Sequence, residues 1–192
     1  MMPSIRGTKT EKNLLAAFAG ESQARNRYGF AASVARKEGY EQIAAIFQET
    51  ADQEKQHAKR FFRFLEGGML EITAGYPAGV TGSTKENLRA AADGEHEEHN
   101  MLYPEFARIA KEEGFPLVAT QFLMTSKAEA HHEERYLKLL KNIENGSTFK
   151  KKTAVKWICR ECGYVHEGPE APEKCPCCEH PRAFYQVLVD EY

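Results

Sequence analysis

Residues 50–61, TADQEKQHAKRF, and residues 125–136, TSKAEAHHEERY, read alike. Each opens on threonine and closes on an aromatic residue, with a Glu-x-x-His between them: Glu54 and His57 in the first, Glu129 and His132 in the second. Thr50 and Phe61, like Thr125 and Tyr136, fall on the stripes of amphipathic helices, where residues three or four apart share a face. A glutamate and a histidine at that spacing turn inward with the core. Two such helices in one chain predict a bundle whose middle is charged.

Outward from these segments the apolar residues keep the same rhythm, and four helices emerge. The first covers about 11–38, with Leu14, Phe18, Tyr28, Ala32 and Ala35 on one stripe and Gly39 as its stop. The second, about 41–66, carries Ile43, Ile46, Phe47, Phe61, Phe64 and Leu65 and ends at Gly67-Gly68. The third, about 84–113, opens behind Ser83 or Thr84 as cap, and Pro104 inside it predicts a kink. The fourth, about 116–145, begins at Pro116, where a first-turn proline is tolerated. Short links at Gly39 and Gly114 make two antiparallel hairpins. The glycine-rich stretch 67–83, GGMLEITAGYPAGVTGS, is too long for a bundle turn and predicts a crossover that sets helices two and three parallel. This is the topology of a ferritin-like bundle.

Helix one places Glu21 on its core stripe, and helix three places Glu95 and Glu98 between Ala91 and Leu102. Five carboxylates and two imidazoles in one interior are too costly without compensation, because a buried unpaired charge costs several kcal/mol even after relaxation. Two metal ions supply that compensation. A Glu from each of two helices plus Glu-x-x-His from the other two is the di-iron carboxylate pattern, and Glu98 is an additional carboxylate. Glu21 to Glu54 spans 33 residues and Glu95 to Glu129 spans 34, so each hairpin contributes half a site. His96, Glu97, His99 and His131 lie off the stripes and read as exposed surface. Tyr28 and Tyr103, about two turns from proposed ligands, read either as hydroxyl donors to the site or as core aromatics.

Beyond residue 146 the chain changes character. Cys159 and Cys162, then Cys175 and Cys178, form two CxxC pairs with the spacing of a tetrahedral four-sulfur metal site. The ligand set alone leaves zinc and iron open. A tail of about forty residues is too short to fold well on an apolar core, and a metal there supplies folding free energy. The expected organisation is a bundle at 1–146, a linker at 147–153 and a metal-stabilised β/loop domain at 154–192. Cys177 is a third thiol in the second knuckle. Adjacent residues do not both face one metal readily, so Cys178 reads as the ligand.

Composition removes several function classes. With 26 basic and 28 acidic residues among 192 the net charge is −2, which offers no pull toward nucleic acid or anionic lipid. The first residues lack the apolar core of a signal peptide and no stretch approaches the roughly 20 apolar residues of a membrane span, so a cytoplasmic protein is expected. With four of five cysteines in metal-ligand spacing, a disulfide framework is not expected.

Taken together, ESQARNRY with Glu21, the Glu54-x-x-His57 helix, GEHEEH with Glu95 and Glu98, AEAHHE with Glu129 and His132, and the tail WICRECGYVHEGPEAPEKCPCCEHP resemble the rubrerythrin family over nearly the whole chain. The tail resembles that family's rubredoxin-like module and so implies iron rather than zinc. The resemblance implies a peroxidase of oxidative stress defence that reduces hydrogen peroxide to water. Electrons would come from an external NAD(P)H-driven donor through a mononuclear iron held by Cys159, Cys162, Cys175 and Cys178. It further implies that Glu54 and Glu129 bridge the iron pair, that one iron takes Glu21 and alternates between Glu98 and His57, and that Glu95 and His132 hold the other. Glu179 departs from the glycine usual in free rubredoxins.

Glu129 lies sixteen residues from the end of helix four, about 24 Å at 1.5 Å per residue, so the tail leaves the bundle far from its own di-iron site. The resemblance implies a head-to-tail homodimer that brings a partner's tail nearer. Two other readings are a ferroxidase or dioxygen-reducing di-iron protein and an interaction protein with a zinc ribbon. A fused electron-input module has no evident purpose in a ferroxidase or iron-handling protein, since ferroxidation removes electrons from incoming Fe(II).

Overall fold

The computed structural model of the chain describes residues 3–190; the outermost ends of the two expected domains, residues 1–2 and 191–192, lie outside the described residues. Helix α1, Lys9–Lys37, is capped by Thr8, whose hydroxyl accepts from the Glu11 amide. It stops at Gly39, where φ of +83° suits a residue without a β-carbon. Helix α2, Glu41–Phe62, is shorter than the predicted 41–66: the chain turns at Arg63, although Phe64 and Leu65 still pack on the core from outside the helix. The crossover through residue 83 contains no helix or strand, as its glycines predict. Helix α3, Thr84–Glu97, opens on a reciprocal capping box between Ser83 and Glu86.

The third bundle helix departs from prediction in its middle. Instead of a kink at Pro104, a π-helical turn, Glu98–Leu102, separates α3 from α4, Tyr103–Glu112. Pro104 has no N–H for the Asn100 carbonyl, and the amide of Tyr103 bonds instead to the Glu98 carbonyl five residues back. The break therefore precedes the proline. Helix α5, Pro116–Glu144, completes the bundle. Its helices and crossover are those of a ferritin-like fold. No helix among the described residues is long and apolar enough to cross a membrane.

The core is in two parts. Tyr28, Ala32, Ile43, Phe47, Leu88, Tyr136 and Leu140 pack toward the α1–α2 turn. Leu14, Phe61, Tyr103, Ala107, Phe115 and Phe122 pack toward the opposite end. The inward-facing acids lie in the layer between them, so apolar side chains close the charged site from above and below.

The C-terminal module is a three-stranded antiparallel sheet of β1 (Lys150–Cys159), β2 (Val165–Glu170) and β3 (Tyr185–Val187), in the order β2-β1-β3. Residues 150–153, expected in the linker, are the first residues of β1. Trp157 anchors the small core with Cys159, Ala171, Cys175 and Tyr185, and its indole N–H donates to the Gly168 carbonyl at 3.0 Å. The module packs on the α1–α2 turn. The Tyr40 and Phe149 rings stack there with centroids 6.1 Å apart, and a β-carbon on Gly39 would stand 3.7 Å from Ala183. Tyr40 is fourteen residues from Glu54 along α2, about 21 Å, so the module sits at the far end of the bundle from the acids.

Candidate metal centres

The bundle brings the predicted acids together as two groups that share members. Glu21, Glu54, His57 and Glu129 form one, and Glu54, Glu95, Glu129 and His132 the other, with one ligand atom from each residue within 4.8 Å of the rest of its group. Glu54 and Glu129 each divide their oxygens between the groups. His57 Nδ1 lies 2.9 Å from Glu54 Oε2 and 2.9 Å from Glu129 Oε1. His132 Nδ1 lies 3.1 Å from Glu54 Oε1 and 2.9 Å from Glu129 Oε2. Glu21 Oε2 and Glu95 Oε2 stand at the outer ends, 3.9 Å from His57 Nδ1 and 3.8 Å from His132 Nδ1 respectively. This is a pair of positions bridged by two carboxylates, each with one imidazole and one further acid.

The site is also built for ions in its hydrogen bonding. Glu21, Glu54, Glu95, Glu129 and His132 are all buried, yet Glu21 Oε2, Glu54 Oε1, Glu95 Oε2, both oxygens of Glu129 and His132 Nδ1 make no hydrogen bond among the described residues. Buried polar atoms without partners are costly. Buried oxygen and nitrogen atoms 2.9–3.1 Å apart and left without hydrogen bonds fit divalent ions, which would neutralise and ligate them together.

Without ions, the electrostatics are those of acids competing for too little positive charge. Burial and then the Glu129 and Glu54 carboxylates push Glu21 well above the usual carboxylate range. Burial and Glu54 push Glu95 up to about 8. Burial would raise Glu54 too, but the imidazoles of His132 and His57 hold it at about 2. Burial disfavours charge on both histidines; even so, Glu129 and Glu54 raise His57 to about 10 and His132 to about 12.

Tyr28 and Tyr103, ambiguous in sequence, both reach the site. Tyr28 donates to Glu95 Oε1 at 2.5 Å, and the Tyr103 hydroxyl donates to Glu21 Oε1. Each comes from a different half of the core. Gln53 and Arg135 carry no sequence signal, being polar residues on helix surfaces. His132 Nε2 donates to Gln53 Oε1 at 3.0 Å, which turns the Nδ1 lone pair inward, and Arg135 holds Gln53 and Thr50 from α5.

Glu98 belongs to neither group. It lies on the π turn and lines a cavity of about 700 Å3 with Gly20, Gly94, Tyr103 and the crossover residues Tyr76 and Pro77. Burial, followed by Glu95, raises its pKa well above the usual value. The π turn explains its presence. Tyr28 to Glu54 and Tyr103 to Glu129 are both 26 residues, while Glu21 to Tyr28 is seven and Glu95 to Tyr103 is eight. The second hairpin thus has one more residue than the first between its acid and its tyrosine, in the segment that forms the π turn. Glu97 and His131 are exposed as expected; His99 is not fully so, being 17 % exposed.

In the small module, Cys159, Cys162, Cys175 and Cys178 form one group, with Cys159–Cys178 and Cys162–Cys175 sulfurs 3.7 Å apart. That is far beyond a disulfide bond and close to the edge of about 3.8 Å of a tetrahedron with metal–sulfur bonds of roughly 2.3 Å. The two knuckles are built alike. Gly163 N donates to Cys159 O and Glu179 N to Cys175 O, both at 2.9 Å. Gly163 and Glu179 take φ of +78° and +63°, so Glu179 adopts the left-handed backbone that a glycine supplies in the first knuckle. Cys177 is exposed and outside the group.

A family model described as "Rubrerythrin" matches residues 12–140, and one described as "Rubrerythrin, rubredoxin-like domain" matches residues 157–186. A rubrerythrin of Porphyromonas gingivalis is 61 % identical over 192 residues, covering 100 % of this chain and 96 % of the relative. A rubrerythrin of Nitratidesulfovibrio vulgaris is 55 % identical, covering 97 % and 98 %. A solved structure of nigerythrin in a mixed-valent state superposes with a TM-score of 0.64 at 32 % identity, covering 98 % of both chains.

Proposed function

Because the chain belongs to the rubrerythrin family, with a di-iron carboxylate site and a four-cysteine rubredoxin-like site, we propose that it reduces hydrogen peroxide to water, drawing electrons from an external NAD(P)H-driven donor. The observation that carries this reading is the pair of ligand groups sharing Glu54 and Glu129, on a chain that also carries the cysteine cluster. When bound, the iron pair supplies both electrons of peroxide reduction, and the iron in the cysteine cluster passes replacements one at a time.

The chain's own residues do the rest. Glu54 and Glu129 would be shared by the two ions, Glu21 and His57 would complete one position, and Glu95 and His132 would complete the other. Glu98 is the spare ligand of the first position. His57 Nδ1 lies 2.9 Å from both shared carboxylates while Glu98 stands on the cavity wall, which supports His57 as the residue that would hold that position, its neutral imidazole suiting the lower charge of reduced iron. Glu98, the nearby spare carboxylate, would offer that position an extra anion where the iron carries more charge. Tyr28 and Tyr103 keep their protons, since burial and then Glu95 and Glu21 push both hydroxyls well above the usual phenol value. They orient the terminal acids as donors. The cavity beside Gly20 and Glu98 is the route by which a small polar substrate enters and protons follow. The apolar clusters exclude bulk water from either end.

The cysteine module stands beyond the Tyr40 end of its own bundle, which supports a head-to-tail homodimer in which each module serves the partner's iron pair. Stopped-flow mixing of the fully reduced protein with peroxide and, separately, with dioxygen tests the reaction. Much faster oxidation by peroxide is expected. Faster oxidation by dioxygen would replace this reading with an oxidase or ferroxidase.

A further inference from the structure

A third cluster of metal-ligating side chains lies outside both iron sites. His96 stands near the end of α3, His99 in the π turn and Glu133 on α5. Glu133 Oε1 is 3.0 Å from His96 Nδ1, and Oε2 is 2.5 Å from His99 Nε2. One ligand atom from each of the three lies within 4.8 Å of the other two, and the imidazole rings meet edge to face with centroids 5.4 Å apart. The helices hold the three in place. His99 and Glu133 are 17 % and 19 % exposed, and Ser126 on α5 donates to the His99 carbonyl at 3.0 Å. His96 is open to solvent, with the Asn100 amide 3.0 Å from its Nδ1 at the rim.

Two imidazole nitrogens and a carboxylate converging from one side, with solvent on the other, make a donor set with free positions for water. Donors bound tetrahedrally to one such ion at roughly 2.1 Å stand about 3.4 Å apart, so the pairs at 3.0 and 2.5 Å need open by less than about 1 Å to hold it. Imidazole and carboxylate together favour zinc, nickel or copper over magnesium or calcium.

We propose that His96, His99 and Glu133 form a mononuclear site for a borderline divalent transition ion of the zinc class, separate from the di-iron and four-cysteine sites. The ion sits between the carboxylate and the two imidazoles in place of their direct contacts, with water in its remaining positions. The site fastens the end of α3 and the π turn to α5.

Equilibrium dialysis of the iron-loaded, full-length protein against zinc, followed by counting both metals and by X-ray absorption at the zinc edge, tests the proposal. One zinc per chain is expected, with nitrogen and oxygen ligands and no loss of iron. His99→Ala and Glu133→Gln should each weaken zinc binding at least tenfold. So should His96→Ala, whose exposed side chain is removed without disturbing the core. No zinc uptake, uptake only as iron is displaced, sulfur ligation, or undiminished binding by His96→Ala would each overturn the site.

Discussion

Tyr28 on α1 donates to Glu95 on α3 at 2.5 Å, and Tyr103 on α4 returns the relation to Glu21 on α1. Each hydroxyl belongs to a different apolar cluster and fixes the terminal acid contributed by the other hairpin. The account therefore predicts that Tyr103→Phe and Tyr28→Phe fold normally but lose roughly 10- to 100-fold in peroxide turnover or iron affinity, the usual cost of removing a partner that orients a metal ligand. Steady-state turnover alongside iron content measures both. Unchanged values in the two variants would make the tyrosines core aromatics and nothing more.

Glu98→Gln separates the spare ligand from the permanent ones. With His57 already among the bridging carboxylates, the reduced variant should hold its full iron complement, while peroxide turnover falls by roughly tenfold or more because the oxidised state lacks its extra anion. Loss of iron from the reduced variant would instead make Glu98 an obligatory ligand.

Metal removal should expose the competition among the acids as a pH dependence. In the metal-free fold Glu95 is raised to about 8, and His57 and His132 to about 10 and 12, so from pH 5 upward the native state holds protons that the unfolded chain has released. A state that binds more protons is favoured at lower pH, and stability must fall as pH rises through this range. Within the site, Glu54, held at about 2 by the two imidazoles against its burial, acts in the opposite sense, and its contribution is lost below the ordinary carboxylate range. Denaturant midpoints of the iron-free bundle should therefore decline between pH 5 and pH 8, and iron loading should remove most of that slope. A flat iron-free profile would contradict the burial of these charges.

A partner's cysteine module serving each iron pair predicts complementation. Cys178→Ser chains lack the relay and Glu54→Ala chains lack a bridging ligand, yet mixed dimers of the two should recover part of the turnover that neither homodimer has. Absence of recovery in dimers confirmed to be mixed would place electron transfer within one chain or between dimers.

Much of this site was legible because a carboxylate on an apolar stripe has few structural explanations. Glu21, Glu54, Glu95 and Glu129 stand out for that reason, and the matching Glu-x-x-His pairs identify two halves of one site. The π turn was present in the sequence only as a difference of one between spans of 33 and 34 residues, and Pro104 pointed to a kink rather than to the turn before it. Periodicity assumes a constant angle per residue, so a local change in winding escapes it. For the same reason His99, which lies in that turn, read as exposed surface. Gln53 and Arg135 escaped because a half-buried polar residue at the edge of a helix face carries no sign of which buried group it orients. The end of α2 was misplaced because Phe64 and Leu65 pack on the core without being helical.

The central claim is that the cysteine-bound iron feeds a peroxide-reducing iron pair. Its most direct test is the visible colour of that iron during anaerobic addition of peroxide to the fully reduced protein. The account predicts rapid return of the red oxidised spectrum in step with peroxide consumption, and loss of that rapid phase in Glu54→Ala with its cysteine-bound iron intact. Consumption of peroxide beyond the first equivalent while the centre stays bleached, or equally rapid recolouring in Glu54→Ala, would contradict it.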